Sequence, residues 1–95
     1  MANISSLEFE RIVDGIYDDR ELIITHNPIG TGSETLLWML LSCLVSYLSL
    51  EDSETPCFVG RPDAEMYSEA IRFILRNHGP QDFDPEPGLA KLAEQ

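Results

Sequence analysis

One uncharged segment constrains this chain more than any other feature. From Thr35 to Leu50 no residue carries a charge, and all but four of the sixteen positions are apolar. A helix that is apolar on nearly every side has to be buried on nearly every side. The segment is also shorter than the roughly 18–20 apolar residues that cross a bilayer. The sequence therefore predicts an interior helix at about 34–50, shielded by protein around most of its circumference.

The chain has 95 residues, of which 43% are hydrophobic, and this composition is typical of one folded domain. We expect residues 1–79 to form that domain and residues 80–95 to be a C-terminal tail, because prolines and acidic residues alternate there around Phe83. Two alternatives stay open for the tail. It is mobile, or it docks through its few apolar side chains, which are Phe83, Leu89 and Leu92.

Two further helices are predicted from capping and periodicity. Ser5 and Glu8 have the spacing of a capping box, and apolar residues then recur on one helical face over residues 6–17. A strand with a turn at Asp14–Gly15 is the alternative for this segment. A third helix begins after Pro62 and ends at Gly79–Pro80, with an apolar face over residues 66–74.

Two short segments are strand candidates. Residues 21–26 are rich in β-branched side chains, and residues 57–59 read Cys-Phe-Val after a charged linker. The predicted fold class is therefore α+β, with three helices, of which the apolar helix at about 34–50 is the central one, and one or two short strands. An all-α bundle is the alternative.

The charge balance narrows the choice of partners. Six basic residues against seventeen acidic ones give a net charge of −11, which repels nucleic acid and anionic membranes. We expect a small, non-enzymatic adaptor, regulator or inhibitor that contacts a basic protein surface, including one that handles nucleic acid; the alternative is that the charge serves solubility. The candidate binding residues are Asp14, Asp18, Asp19, Glu51, Asp52, Glu54, Asp82, Phe83, Asp84 and Glu86.

The central helix also carries a candidate self-association surface. Thr35, Ser42, Ser46 and Ser49 fall on one line of the helix, with Trp38 and Val45 beside it. Small hydroxyl residues let another backbone approach closely, or they mark the one wetted edge of a buried helix. Because residues 36–50 are apolar on nearly every side, the two flanking helices leave one side that needs the strands, the tail or a second copy. We expect a two-fold homodimer built on Trp38, Ser42, Val45, Ser46 and Ser49.

The two cysteines are the basis of a different function, a thiol-dependent enzyme. Cys43 lies in the apolar helix, where burial raises a thiol pKa, whereas Cys57 lies beside a charged linker and is the more reactive candidate. No spacing of His, Cys, Asp or Glu indicates a metal site, and Gly30–Ser33 is followed by Glu34 rather than by a lysine that would hold phosphate. We expect no cofactor. A signal sequence is not evident, so a cytoplasmic location is the expectation.

Overall fold

The computed structural model describes residues 3–55 and 62–94, and within them the chain is helical. The elements, in chain order, are α1 (Ser6–Asp18), α2 (Arg20–His26), α3 (Gly32–Tyr47), a 3-10 turn (Asp52–Glu54), α4 (Ala64–His78) and α5 (Glu86–Ala93). No strand occurs in these two ranges. The α+β prediction is therefore wrong for the described chain, and the all-α alternative fits it.

The strand predicted at 21–26 is helix α2. It follows α1 after a single residue, Asp19, whose carbonyl accepts the Ile23 amide at 3.0 Å. As a helix, the segment packs Ile23 and Ile24 against the core while Leu22 and Thr25 face solvent. Tertiary packing thus overrides the β preference of the branched residues. The strand predicted at 57–59 lies outside the described residues.

The other helix limits follow from capping. Ser5 and Glu8 form the predicted capping box of α1, and Thr31 and Glu34 form a second one at α3. The central helix consequently begins at Gly32, slightly earlier than predicted, and ends at Tyr47. At α4 the Asp63 carboxylate accepts the Met66 amide at 2.9 Å. These side chains satisfy amide groups that a helix start leaves without partners.

Helix α3 lies at the centre, in contact with all four other helices. Its inner face is fully covered by the single chain: Leu36, Leu37, Leu40, Leu44 and Leu48 are all buried. The amphipathic helices α1 and α4 contribute Phe9, Val13, Ile71 and Ile74 to the same core. Burial is confirmed for this face, which one copy covers. On the other side Trp38, Met39 and Val45 are half-buried and Tyr47 is exposed, so the predicted shielding is confirmed only in part. No helix in the described ranges has the length and apolar character needed to cross a membrane.

The C-terminal residues pack onto this core. Leu89 and Leu92 of α5 are buried in the same cluster as α1 and α3. Gly88 lies so close to α1 that an added Cβ would stand 2.8 Å from a ring carbon of Phe9. Phe83 meets Phe9 edge to face, with ring centroids 4.9 Å apart. Of the two alternatives for residues 80–95, the observed packing is docking within the chain.

Candidate functional site

Acidic side chains from two distant segments meet along one groove between α1 and α5. We call it the acidic groove. It has a volume of about 220 Å³, and its charged lining consists of Glu10, Asp14, Asp84 and Lys91. Its apolar floor is formed by Phe9, Val13, Phe83, Pro87 and Gly88. The groove thus gathers three predicted binding residues, Asp14, Phe83 and Asp84, around a floor that a partner side chain can contact.

The geometry of α1 sets one wall of the acidic groove. Glu10, Asp14 and Asp18 are four residues apart and therefore share one face of the helix. Glu10 and Asp14 line the groove, and Asp18 lies one turn beyond the lining. All three are exposed. The opposite wall comes from the 80–85 segment, which the contact between Phe83 and Phe9 holds against α1. Sequence reasoning missed Glu10, although its spacing to Asp14 and Asp18 is a local signal.

Lys91 reduces the negative charge of the acidic groove at one point. Its ammonium lies 2.6 Å from the Asp14 carboxylate and 4.7 Å from the centre of the Tyr17 ring. The hydrogen bond to Asp14 is the main cause that raises the pKa of Lys91, and the nearby charge of Asp18 adds to it. Asp14 is therefore engaged within the chain. Glu10, Asp18 and Asp84 remain as exposed carboxylates at this surface.

Glu86 is also engaged within the chain. Its two carboxylate oxygens accept hydrogen bonds from Nε and Nη2 of Arg72, each at 2.7 Å. This bidentate pair links α5 to α4. The hydrogen bond from Arg72 lowers the pKa of Glu86. Because bidentate guanidinium–carboxylate pairs have a fixed geometry, Glu86 helps to hold α5 in place. It was predicted as a binding residue, and the structure gives it an intramolecular partner.

Glu86→Gln is expected to destabilise the fold by up to about 1 kcal/mol at neutral pH, since both partners are partly exposed and such pairs are screened. The pKa of Glu86 is lower when folded, so its stabilisation is present above the unfolded pKa of about 4.3 and is lost as pH falls through the folded value. Urea denaturation at about pH 7 and about pH 2.5 measures this. The exposed Glu65→Gln is the control; a Glu86→Gln deficit that persists in acid would contradict the assignment.

The remaining predicted binding residues lie elsewhere. Asp19 is exposed between α1 and α2, and Asp82 is exposed in the turn before Phe83. Glu51 precedes the 3-10 turn, and Asp52 and Glu54 lie within it; the Glu54 carboxylate accepts the Glu51 amide at 2.9 Å. The lining of the acidic groove does not include these five residues. The predicted set is therefore divided between several surfaces.

The predicted self-association residues lie on the outer side of α3 and just beyond its end. Trp38, Ser42 and Val45 are half-buried, and Ser46 and Ser49 are exposed. Thr35, at the start of the same hydroxyl line, has a different role. It is buried, and its hydroxyl accepts the Ile29 amide at 3.0 Å and lies 3.2 Å from the Ile29 and Thr31 carbonyls. Thr35 thus fastens the loop that precedes α3.

A second, apolar groove runs between α1, α2 and α3, and sequence reasoning missed it. It is open, with a volume of about 590 Å³. Most of its apolar surface comes from half-buried Ile12, Ile23, Met39 and Cys43, from the exposed Tyr47 ring and from buried Ile16. The full lining is Arg11, Ile12, Gly15, Ile16, Asp19, Ile23, Met39, Cys43, Ser46 and Tyr47. The signal for it was absent from the sequence, because one wall is α2, which was predicted as a strand. We call it the apolar groove.

Cys43 lines the apolar groove and is half-buried. Burial raises the pKa of its thiol, as predicted, and this disfavours the thiolate that nucleophilic chemistry requires. Cys57 lies outside the described residues. In residues 3–55 and 62–94, no three His, Cys, Asp or Glu side chains are grouped as a metal site.

The chain matches no protein-family model, and comparison with curated proteins and with solved structures gives no significant similarity. The geometry of the two grooves is therefore the basis on which a function is proposed.

Proposed function

We propose that this chain is a small, non-enzymatic protein-binding module that contacts a basic surface of a protein partner, as an adaptor, regulator or inhibitor. One observation supports the proposal above the others. Residues about 70 positions apart in sequence, Glu10 and Asp84, line one groove together with an aromatic floor. Charged side chains around a partly buried apolar centre are the usual anatomy of a specific protein interface.

The acidic groove contributes mainly to attraction and orientation of the partner. Exposed carboxylates of a chain with net charge −11 accelerate encounter with a cationic surface and repel anionic ones. A surface that normally holds nucleic acid is one such cationic surface. The half-buried Phe83 ring, which packs edge to face on the buried Phe9 ring, then offers apolar area to a partner side chain.

Neutralising Glu10 in the acidic groove together with Asp18, one turn beyond it on the same face of α1, is expected to weaken binding of a folded basic probe protein by about 2- to 30-fold at physiological salt. The variant is Glu10→Gln with Asp18→Asn, and the estimate takes two exposed charge pairs at about 0.2–1 kcal/mol each. Titration by biolayer interferometry across a salt series measures the affinity. Affinity of the unmodified chain should fall steeply as salt rises, because exposed charges are screened over about 8 Å at physiological ionic strength.

A matched control separates the groove from total charge. Glu21→Gln with Glu65→Gln changes the net charge equally, at two exposed positions on α2 and α4. This control should leave the affinity within about twofold, because only interactions within a Debye length are strong. Equal weakening by both double variants would reduce the role of the acidic residues to solubility. Binding that is insensitive to salt would contradict the proposal outright.

Self-association also stays a proposal, with an altered argument. One chain buries Leu40, Leu44 and Leu48, so a second copy is not needed to shield them. What a second copy would cover is the half-exposed side of α3 with Trp38 and Val45. Sedimentation equilibrium that gives a monomer mass at micromolar concentration would contradict it.

A further inference from the structure

Gly15 occupies the middle of α1, where glycine costs about 1 kcal/mol relative to alanine. The packing of the described chain does not require it, since a Cβ added there would meet no atom within 4 Å. Gly15 instead lines the apolar groove. Glycine on a helix surface permits another backbone to approach closely. The open space over Gly15 can therefore accommodate an element that residues 3–55 and 62–94 do not supply.

The surroundings of Gly15 are apolar and shallow. Ile12, Ile23 and Met39 are half-buried at the groove walls, and Tyr47 is half-exposed at one end. Leu22, which is 60% exposed, lies next to Ile23 on the same short helix. Apolar surface in a groove between helices, with small residues at its floor, matches the way an amphipathic helix docks through residues spaced i, i+3, i+4 and i+7.

The charges at the apolar groove favour a cationic occupant. At one end the Glu8 carboxylate hydrogen-bonds the Tyr47 hydroxyl, which raises the pKa of Tyr47. At the other end Asp19 lines the groove. Eleven residues of α1 separate these carboxylates, or about 16 Å at 1.5 Å per residue. Arg11 is the single basic residue of the lining. The two carboxylates are therefore about three helical turns apart.

We propose that the apolar groove binds an amphipathic α-helix of a protein partner, about three turns long, with Lys or Arg flanking its apolar stripe. The stripe would lie over Gly15 between Ile12, Ile23 and Met39, and its basic residues would meet Glu8 and Asp19. A second copy of this chain is a poorer occupant, because each copy carries a net charge of −11. This inference rests on the proposed function for the sign of the partner's charge, and it adds the partner's secondary structure and its binding site.

The test uses Cys43 as a reporter within the groove. In a Cys57→Ser variant of the full chain, Cys43 is the single thiol, and its rate of alkylation by iodoacetamide is measured. The probe is a synthetic Leu/Lys peptide of about 14 residues with leucines at i, i+3, i+4 and i+7. A bound helix covers Cys43, so saturating peptide is expected to slow alkylation at least about tenfold. A scrambled peptide of the same composition and a Leu/Glu peptide should change the rate less than about twofold.

Substitutions at Gly15 provide the matched pair. Gly15→Gln is a good helix former whose side chain occupies the space of the approaching backbone, so the fold is retained and affinity for the Leu/Lys peptide should fall at least about tenfold. Gly15→Ala also raises the helix propensity of α1 but adds only one methyl group. It should therefore keep most of the affinity for the Leu/Lys peptide. Arg11→Glu should tighten binding, because it replaces the one charge that repels the peptide.

Each outcome bears on a distinct claim. If the Leu/Lys peptide leaves Cys43 unprotected, or if Gly15→Gln binds as tightly as the unmodified chain, the groove inference is overturned; the proposed function stands if the basic probe still binds through Glu10 and Asp18. If the Leu/Glu peptide protects Cys43 equally, the occupant of the apolar groove is not selected by its charge and the groove inference is overturned, while the salt series and the Glu10→Gln with Asp18→Asn variant decide the proposed function separately. Protection by the scrambled peptide would show that a helical stripe is not what the groove recognises.

Discussion

Leu40→Ala is expected to lower the free energy of unfolding by about 2–5 kcal/mol. Leu40 lies in the middle of α3 and is 0% exposed in a core that all five helices help to build. Its truncation removes the transfer free energy of the lost methyl groups and leaves a cavity that a close-packed interior fills only in part. Urea denaturation followed by circular dichroism measures the loss.

Leu22→Ala is the matched control for Leu40→Ala, because the same atoms are removed from a side chain that is 60% exposed. We expect its free energy of unfolding to stay within about 0.5 kcal/mol of the unmodified chain. Similar losses for the two variants would contradict the interior position of α3.

Burial of α3 was predictable because the signal is dense and local, with no charge between Thr35 and Leu50. Which elements would cover α3 was harder to predict. Periodicity identified α1 and α4 as amphipathic helices, and their capping residues were readable one by one. The prediction left the remaining side to the strands, the tail or a second copy. In the structure that cover comes from α2, which is a helix and not the predicted strand, and from α5 in the docked tail.

Helix α2 shows why short segments resist prediction. Its seven residues include Ile23, Ile24 and Thr25, whose branched side chains favour strands when nothing else decides. What decides here is position. The segment follows α1 after one residue, and it reaches the core with Ile23 and Ile24 in helical register. That choice depends on contact with α3, which no local pattern contains.

The acidic groove was likewise predictable from the sequence only in part. One wall, with Glu10 and Asp14, follows from spacing by four along α1, as does the position of Asp18 one turn beyond it. The other wall depends on residues that meet only after folding, as the ion pair of Lys91 with Asp14 does across 77 positions. Composition could therefore supply the candidate carboxylates, and tertiary docking of α5 determines which of them share a surface.

Leu92→Ala is expected to destabilise the chain by about 2–5 kcal/mol, in contrast to what a mobile tail would give. Leu92 is 0% exposed, and it belongs to the core cluster that contains Leu36 and Phe9. Since α5 has only eight residues, it is too short to be stable by itself and depends on this contact. Chemical denaturation and native-state hydrogen exchange of the α5 amides measure the two consequences, lower global stability and lower protection of α5.

Two comparisons identify the cause of the loss in Leu92→Ala. Leu7→Ala makes the same truncation at a side chain that is 56% exposed, and it should have little effect. Lys91→Met removes the ion pair with Asp14 while keeping an aliphatic chain, and it should cost less than Leu92→Ala because exposed pairs contribute little. Unchanged stability in Leu92→Ala would mean that α5 does not dock. The acidic groove would then lose the wall carrying Phe83 and Asp84, so the proposed function depends on this one apolar contact.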